Sequence, residues 1–137
     1  STLSPTDDAT SIATTSDLVM TFDEAVDVKS GNISIYTTIG DTLFESISVV
    51  SGNVTGTGTD TITINPTGTF AELIGYYAKV VTSAFDDIYG NSFAGITDTT
   101  SWSFTTIDST NPTVSTLTPV DDEASFSKTA NLVIVFD

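Results

Sequence analysis

Apolar and polar residues alternate with period two along most of this chain, in short runs separated by turn residues. Leu18–Phe22 reads as a strand that follows an Asp/Ser/Thr-rich turn. Ile33–Tyr36 alternates after Ser30-Gly-Asn32, and Leu43–Val50 alternates again. Thr61–Asn65 places Ile62 and Ile64 on one face and Thr61 and Thr63 on the other. Tyr76–Phe85 and Ser101–Thr106 complete the set. Trp102 and Phe104 share a face, as do Tyr76, Ala78 and Val80, and both groups are expected in the core; Tyr77 is then expected to point outward beside Lys79. Thr69–Ile74, before Gly75, is the one segment that suggests a helical turn. Short strands with turn signals at regular spacing are the pattern of an all-β sandwich.

A second pattern is a long internal repeat. Ser115–Asp137 aligns without a gap on Ser1–Asp23, at an offset of 114 residues, with 12 of the 23 positions identical. The identities include Leu3/Leu117, Pro5/Pro119, Asp7/Asp121, Asp8/Asp122, Leu18/Leu132, Phe22/Phe136 and Asp23/Asp137. A period of that length is too long for a solenoid unit and fits a string of whole domains. Residues 1–107 are therefore expected to form one domain, 108–113 a short linker stiffened by Pro112, and 114–137 the first strands of a following copy in a longer protein.

Composition narrows the function. The chain has 137 residues, 18 of them acidic against three lysines and no arginine, for a net charge of −15. It lacks the cations that would replace counterions on nucleic acid or on anionic membrane surfaces, so no nucleic-acid partner is expected. No apolar run is long enough to span a bilayer, so no membrane insertion is expected. There is no cysteine and no histidine. That removes disulfides, thiol chemistry, Cys/His zinc sites and His-based triads.

Several segments together resemble the bacterial Ig-like domains of the SbsA-like (Big_5) type. They are Leu3–Asp8, Leu18–Val26, Gly31–Ile35, Tyr76-Tyr77, Phe85–Asn91 and Trp102–Thr106, in the family's order across nearly all of residues 1–107. The bare Gly/Thr loop Thr55–Asp60 departs from the pattern. The resemblance implies an immunoglobulin-like Greek-key sandwich of about seven strands, serving as a spacer, stalk or adhesive module outside the cell, and it does not imply catalysis.

Candidate sites are few. Asp86, Asp87 and Asn91 surround a glycine-permitted turn and offer hard oxygen ligands of the kind Ca²⁺ takes, although the spacing is not that of an EF-hand. The plainer reading is a turn in which Asp87 accepts backbone N–H bonds and Gly90 takes a positive φ. A second calcium candidate lies at the junction, where Asp108 and Asn111 are placed to meet Asp121 and Asp122, with solvated carboxylates as the alternative. Calcium is the one cofactor these residues suggest. Asp23 and Glu24 are adjacent, so strand alternation sends them to opposite faces and argues against a catalytic pair. Exposed Tyr77 and Tyr89 are the material for a sugar-stacking platform.

The leading expectation is a non-enzymatic structural repeat of a secreted or surface-anchored bacterial adhesin, partnered by neighbouring repeats of the same chain. The alternative is an extracellular module that binds carbohydrate or protein. The apolar Leu132–Phe136 strand is also a candidate for strand exchange with another molecule.

Overall fold

The computed structural model describes residues 1–137, and all twelve of its regular elements are strands. Ten of them, β1 (Thr2–Ser4), β2 (Ala9–Ile12), β3 (Leu18–Val28), β4 (Asn32–Thr37), β5 (Leu43–Ser48), β6 (Val54–Thr55), β7 (Thr59–Ile64), β8 (Gly75–Val80), β9 (Phe85–Asp87) and β10 (Ser103–Thr106), build the sandwich. One sheet runs β1-β3-β7-β6, with β9 paired to the far end of β3. The other runs β2-β10-β8-β4-β5. β11 (Val114–Thr118) and β12 (Val133–Phe136) form a separate hairpin.

The two sheets exchange strands in the manner of an immunoglobulin fold. The chain leaves the first sheet after β1 and enters the second as β2, lying parallel to β10. That switch at Pro5, together with the short edge pieces β6 and β9, is why ten strands appear where about seven are expected. The inner faces carry the period-two apolar sets: Leu18, Met20 and Phe22 from β3, Ile62 and Ile64 from β7, Ile33 and Ile35 from β4, and Tyr76, Ala78 and Val80 from β8. Trp102 is fully enclosed, and its indole N–H donates to the Pro5 carbonyl at 2.9 Å, fastening the start of the chain to the approach to β10.

Two expectations are corrected. Tyr76–Phe85 is not one strand. β8 ends at Val80, the chain turns through Val81–Ala84, and β9 joins the opposite sheet against Val26–Val28. Phe85 is thereby buried from the other side of the core, where it meets Phe22 edge-on. Thr69–Ile74 is not helical either. Phe70 is drawn into the core against Phe44, Tyr76 and Phe104, and Leu73 takes φ +56°, which a right-handed turn does not allow.

Candidate functional site

The Asp86–Asn91 loop is a self-contained turn. Asp87 Oδ1 accepts the backbone N–H groups of Tyr89 and Asn91, both at 2.8 Å, and Oδ2 accepts the Asn91 side-chain amide at 2.6 Å. The Asn91 amide, followed by the backbone N–H donors, holds the Asp87 carboxyl below its ordinary range. Gly90 takes φ +86°. At the junction, Asp108 accepts the Thr110 N–H at 3.0 Å. No group of three or more acidic side chains forms there, at Asp86, Asp87 and Asn91, or around Asn111, Asp121 and Asp122. In the sandwich the counterparts of Asp121 and Asp122 are occupied by protein groups. Asp7 Oδ1 accepts the Ser103 N–H at 2.8 Å, and the Ser103 hydroxyl lies 3.0 Å from both Asp7 and Asp8. These carboxylates close the loop before β2 onto β10.

Alternation fails at Asp23 and Glu24. A register shift between Thr21 and Val26 breaks the period of β3, so both side chains are exposed and both line one shallow depression of about 180 Å³ with Asp87, Asn91 and Phe93. A larger depression, about 420 Å³, has no hydrophobic residue in its lining, which includes Asp17, Asn53 and Asn65.

The aromatic platform also takes a different form. Tyr77 does lie on the outer face of its sheet, outside the core cluster, but it is only 3% exposed. It stacks on Tyr36 at 5.2 Å, with the Lys79 ammonium 5.6 Å from its ring centre and 5.9 Å from that of Tyr36. Burial first, then the neighbouring Asp41 carboxylate, raises the Tyr77 phenol above its ordinary range. Tyr89 stands exposed in the turn that follows β9.

The most organised polar arrangement lies where β10 leaves the sandwich. Two buried hydroxyls hold the Ala71–Ile74 loop. Tyr76 Oη accepts the Ala71 N–H at 2.9 Å, the contact known as a tyrosine corner in immunoglobulin folds. Thr106 Oγ1 donates to the Ala71 carbonyl at 2.6 Å and accepts the Ile74 N–H at 3.0 Å. The same loop presents Glu72, whose carboxylate accepts the hydroxyls of Ser109 and of Thr110, the latter at 2.6 Å. Those two hydroxyls, Ser109 first, hold the Glu72 carboxyl below its ordinary range. Beyond them, Asp137 at the end of β12 accepts the Thr113 N–H at 2.7 Å and its hydroxyl at 2.6 Å. The segment 109–113 is thus held at both ends by carboxylates, with Asn111 and Pro112 between them. Sequence reasoning missed Glu72, Thr106 and Asp137 in these roles. Only the recurrence of Asp23 as Asp137 signalled one of them.

A two-sheet sandwich with a strand that switches sheets, a tyrosine corner and a buried tryptophan defines an immunoglobulin-like domain. The bacterial Ig-like domain (Big_5) family model matches residues 1–106, and the chain belongs to that family. Among solved structures, the crystal structure of the S-layer protein rSbsC(31-844) is similar, with a TM-score of 0.46 and 22% identity over 83% of this chain. The chain spans 15% of the length of that protein. No curated protein matches.

Proposed function

We propose that this chain is a structural repeat of a secreted or surface-anchored bacterial protein, in which Ig-like modules follow one another and hold a distal part of the protein, such as an adhesive domain, away from the cell. The reading places its activity in shape and stiffness rather than in catalysis. The observation that carries it is the linker held between two carboxylates, because a spacer transmits length only if its joints resist bending. The hairpin supports the tandem arrangement. Thr116↔Val135, Leu117↔Ile134 and Thr118↔Val133 reproduce, at the offset of 114, the pairs Thr2↔Thr21, Leu3↔Met20 and Ser4↔Val19. Its strand also lacks the cover that its counterpart has: Leu132 is 77% exposed where Leu18 is 0%, because no strand plays the part of β7 beside it. The stiffness proposed here rests on the hydrogen bonds that Glu72 and Asp137 make to the linker. The alternative, a ligand-binding module, draws on Tyr77 and Tyr89, one covered and the other on a separate loop.

Small-angle scattering of two or more copies in tandem tests the proposal. Elongated particles whose length grows in proportion to copy number, with or without calcium, are expected. A particle that stays compact as copies are added refutes the spacer reading, and glycan binding by a single copy favours the alternative.

A further inference from the structure

We propose that Asp23 is a docking point for the linker that enters this module, its partner being a hydroxyl-bearing linker residue of a preceding copy. The inference rests on the tandem reading above and adds a specific contact to it. Asp137 is the counterpart of Asp23, and it grips Thr113 through both carboxylate oxygens while its own N–H donates to the Thr113 carbonyl at 3.0 Å. Thr113 stands two residues before Ser115, the counterpart of Ser1.

The register carries the contact across. In the hairpin, Thr116 pairs with Val135, a bulge takes up Ser115, and Val114 pairs with Phe136, which leaves Thr113 opposite Asp137. In the sandwich, Thr2 already pairs with Thr21. The same bulge at Ser1 sets the residue two positions before it opposite Asp23. Asp23 is exposed and has no such partner within residues 1–137. A bidentate carboxylate fits a residue that offers a backbone N–H and a side-chain hydroxyl together, which selects serine or threonine and rejects proline and aliphatic residues. On the other side of the joint, Glu72 of the preceding module takes two further hydroxyls, as it does with Ser109 and Thr110. Each linker is then held three times along five residues, and Pro112 fixes φ in the remaining span.

The test uses the full chain extended at its N-terminus by its own Ile107–Val114 sequence, which sets a threonine two residues before Ser1. Carbon-detected NMR titration of Asp23 is expected to show its midpoint about one unit below that in the unextended chain, as accepting two hydrogen bonds favours the carboxylate. The amide of the added threonine is expected to exchange about tenfold more slowly than in the same protein carrying Asp23→Asn. An unchanged midpoint with an unprotected amide overturns the proposal. A midpoint lowered by calcium in the unextended chain, and not by the extension, also overturns it, because Asp23 and Glu24 then serve a cation. Scattering separates this contact from the spacer reading. Tandem copies that stay elongated while Asp23 titrates unchanged refute the docking alone, and a lowered Asp23 midpoint in copies that collapse together refutes the spacer alone.

Discussion

Replacing Thr106 with valine tests how the loop that carries Glu72 is held. Thr106 is 2% exposed, and valine matches its shape, so the change removes a hydroxyl without opening a cavity. Two backbone groups lose their partner, the Ala71 carbonyl and the Ile74 N–H. An unsatisfied buried group costs about 1–3 kcal/mol. Ala71 is exposed, so water can reach its carbonyl, whereas Ile74 is half-buried. A total of about 2 kcal/mol follows, or roughly 8 °C in Tm for a domain of this size. Thr106→Ser keeps the hydroxyl and loses one methyl, a cost of about 1 kcal/mol. Tyr76→Phe strips the acceptor from the Ala71 N–H and is expected to cost about 1–2 kcal/mol. Both hydroxyls restrain one loop, so the double variant should fall short of additivity by at least about 0.5 kcal/mol. Urea unfolding followed by the fluorescence of Trp102, the single and fully enclosed tryptophan, reads the four variants against the unaltered chain. If Thr106→Val is no more costly than Thr106→Ser, the hydroxyl is not holding the loop.

Other consequences follow from the same geometry. Gly56→Ala is expected to destabilise the sandwich by about 2–4 kcal/mol, since φ is +103° and a Cβ would lie 2.0 Å from the Thr61 carbonyl oxygen. Gly58→Ala, at φ +79° with open space around it, should cost only about 1 kcal/mol, and thermal melts of the pair separate clash from backbone strain. Asp98 caps its turn by accepting from the Thr100 N–H, then from the Ser101 hydroxyl and N–H, which lowers its carboxyl from the ordinary 3.8 to about 2. A depressed folded-state value means that its contribution is complete above about pH 4 and disappears as the pH falls through about 2, where amide exchange at Thr100 and Ser101 should accelerate. Glu72→Gln halves the acceptor capacity facing Ser109 and Thr110, and ¹⁵N relaxation should show residues 108–113 moving faster while the Tm of the sandwich stays within about 2 °C. Unaltered linker relaxation in that variant would show that the joint owes nothing to Glu72.

What the chain states locally and what it leaves to packing divide along physical lines. Period-two alternation marks a buried face directly, so the core sets Ile62/Ile64, Tyr76/Ala78/Val80 and Trp102/Phe104 are legible in the sequence. The Asp87 turn was legible for a related reason, since its donors and acceptor lie within five residues. The repeat in the sequence reappears as matched register, and even the left-handed backbone of Asp8 recurs at Asp122. Alternation does not say which sheet a strand joins, so the break at Val81–Ala84 that sends Phe85 across the sandwich was hidden inside one apolar run. It also fails where the register between β3 and β7 shifts, and there Asp23 and Glu24 both line one depression. Tyr77 is covered by Tyr36, 41 residues away, a burial that no local pattern records. Sequence by itself determined most of the sheet-forming runs, the inner faces of the core strands and the repeat, because those depend on neighbours along the chain. Tertiary structure alone decided the joint, because Glu72, Thr106 and Ser109 meet only after two sheets have packed and brought a loop beside the exit of the last strand.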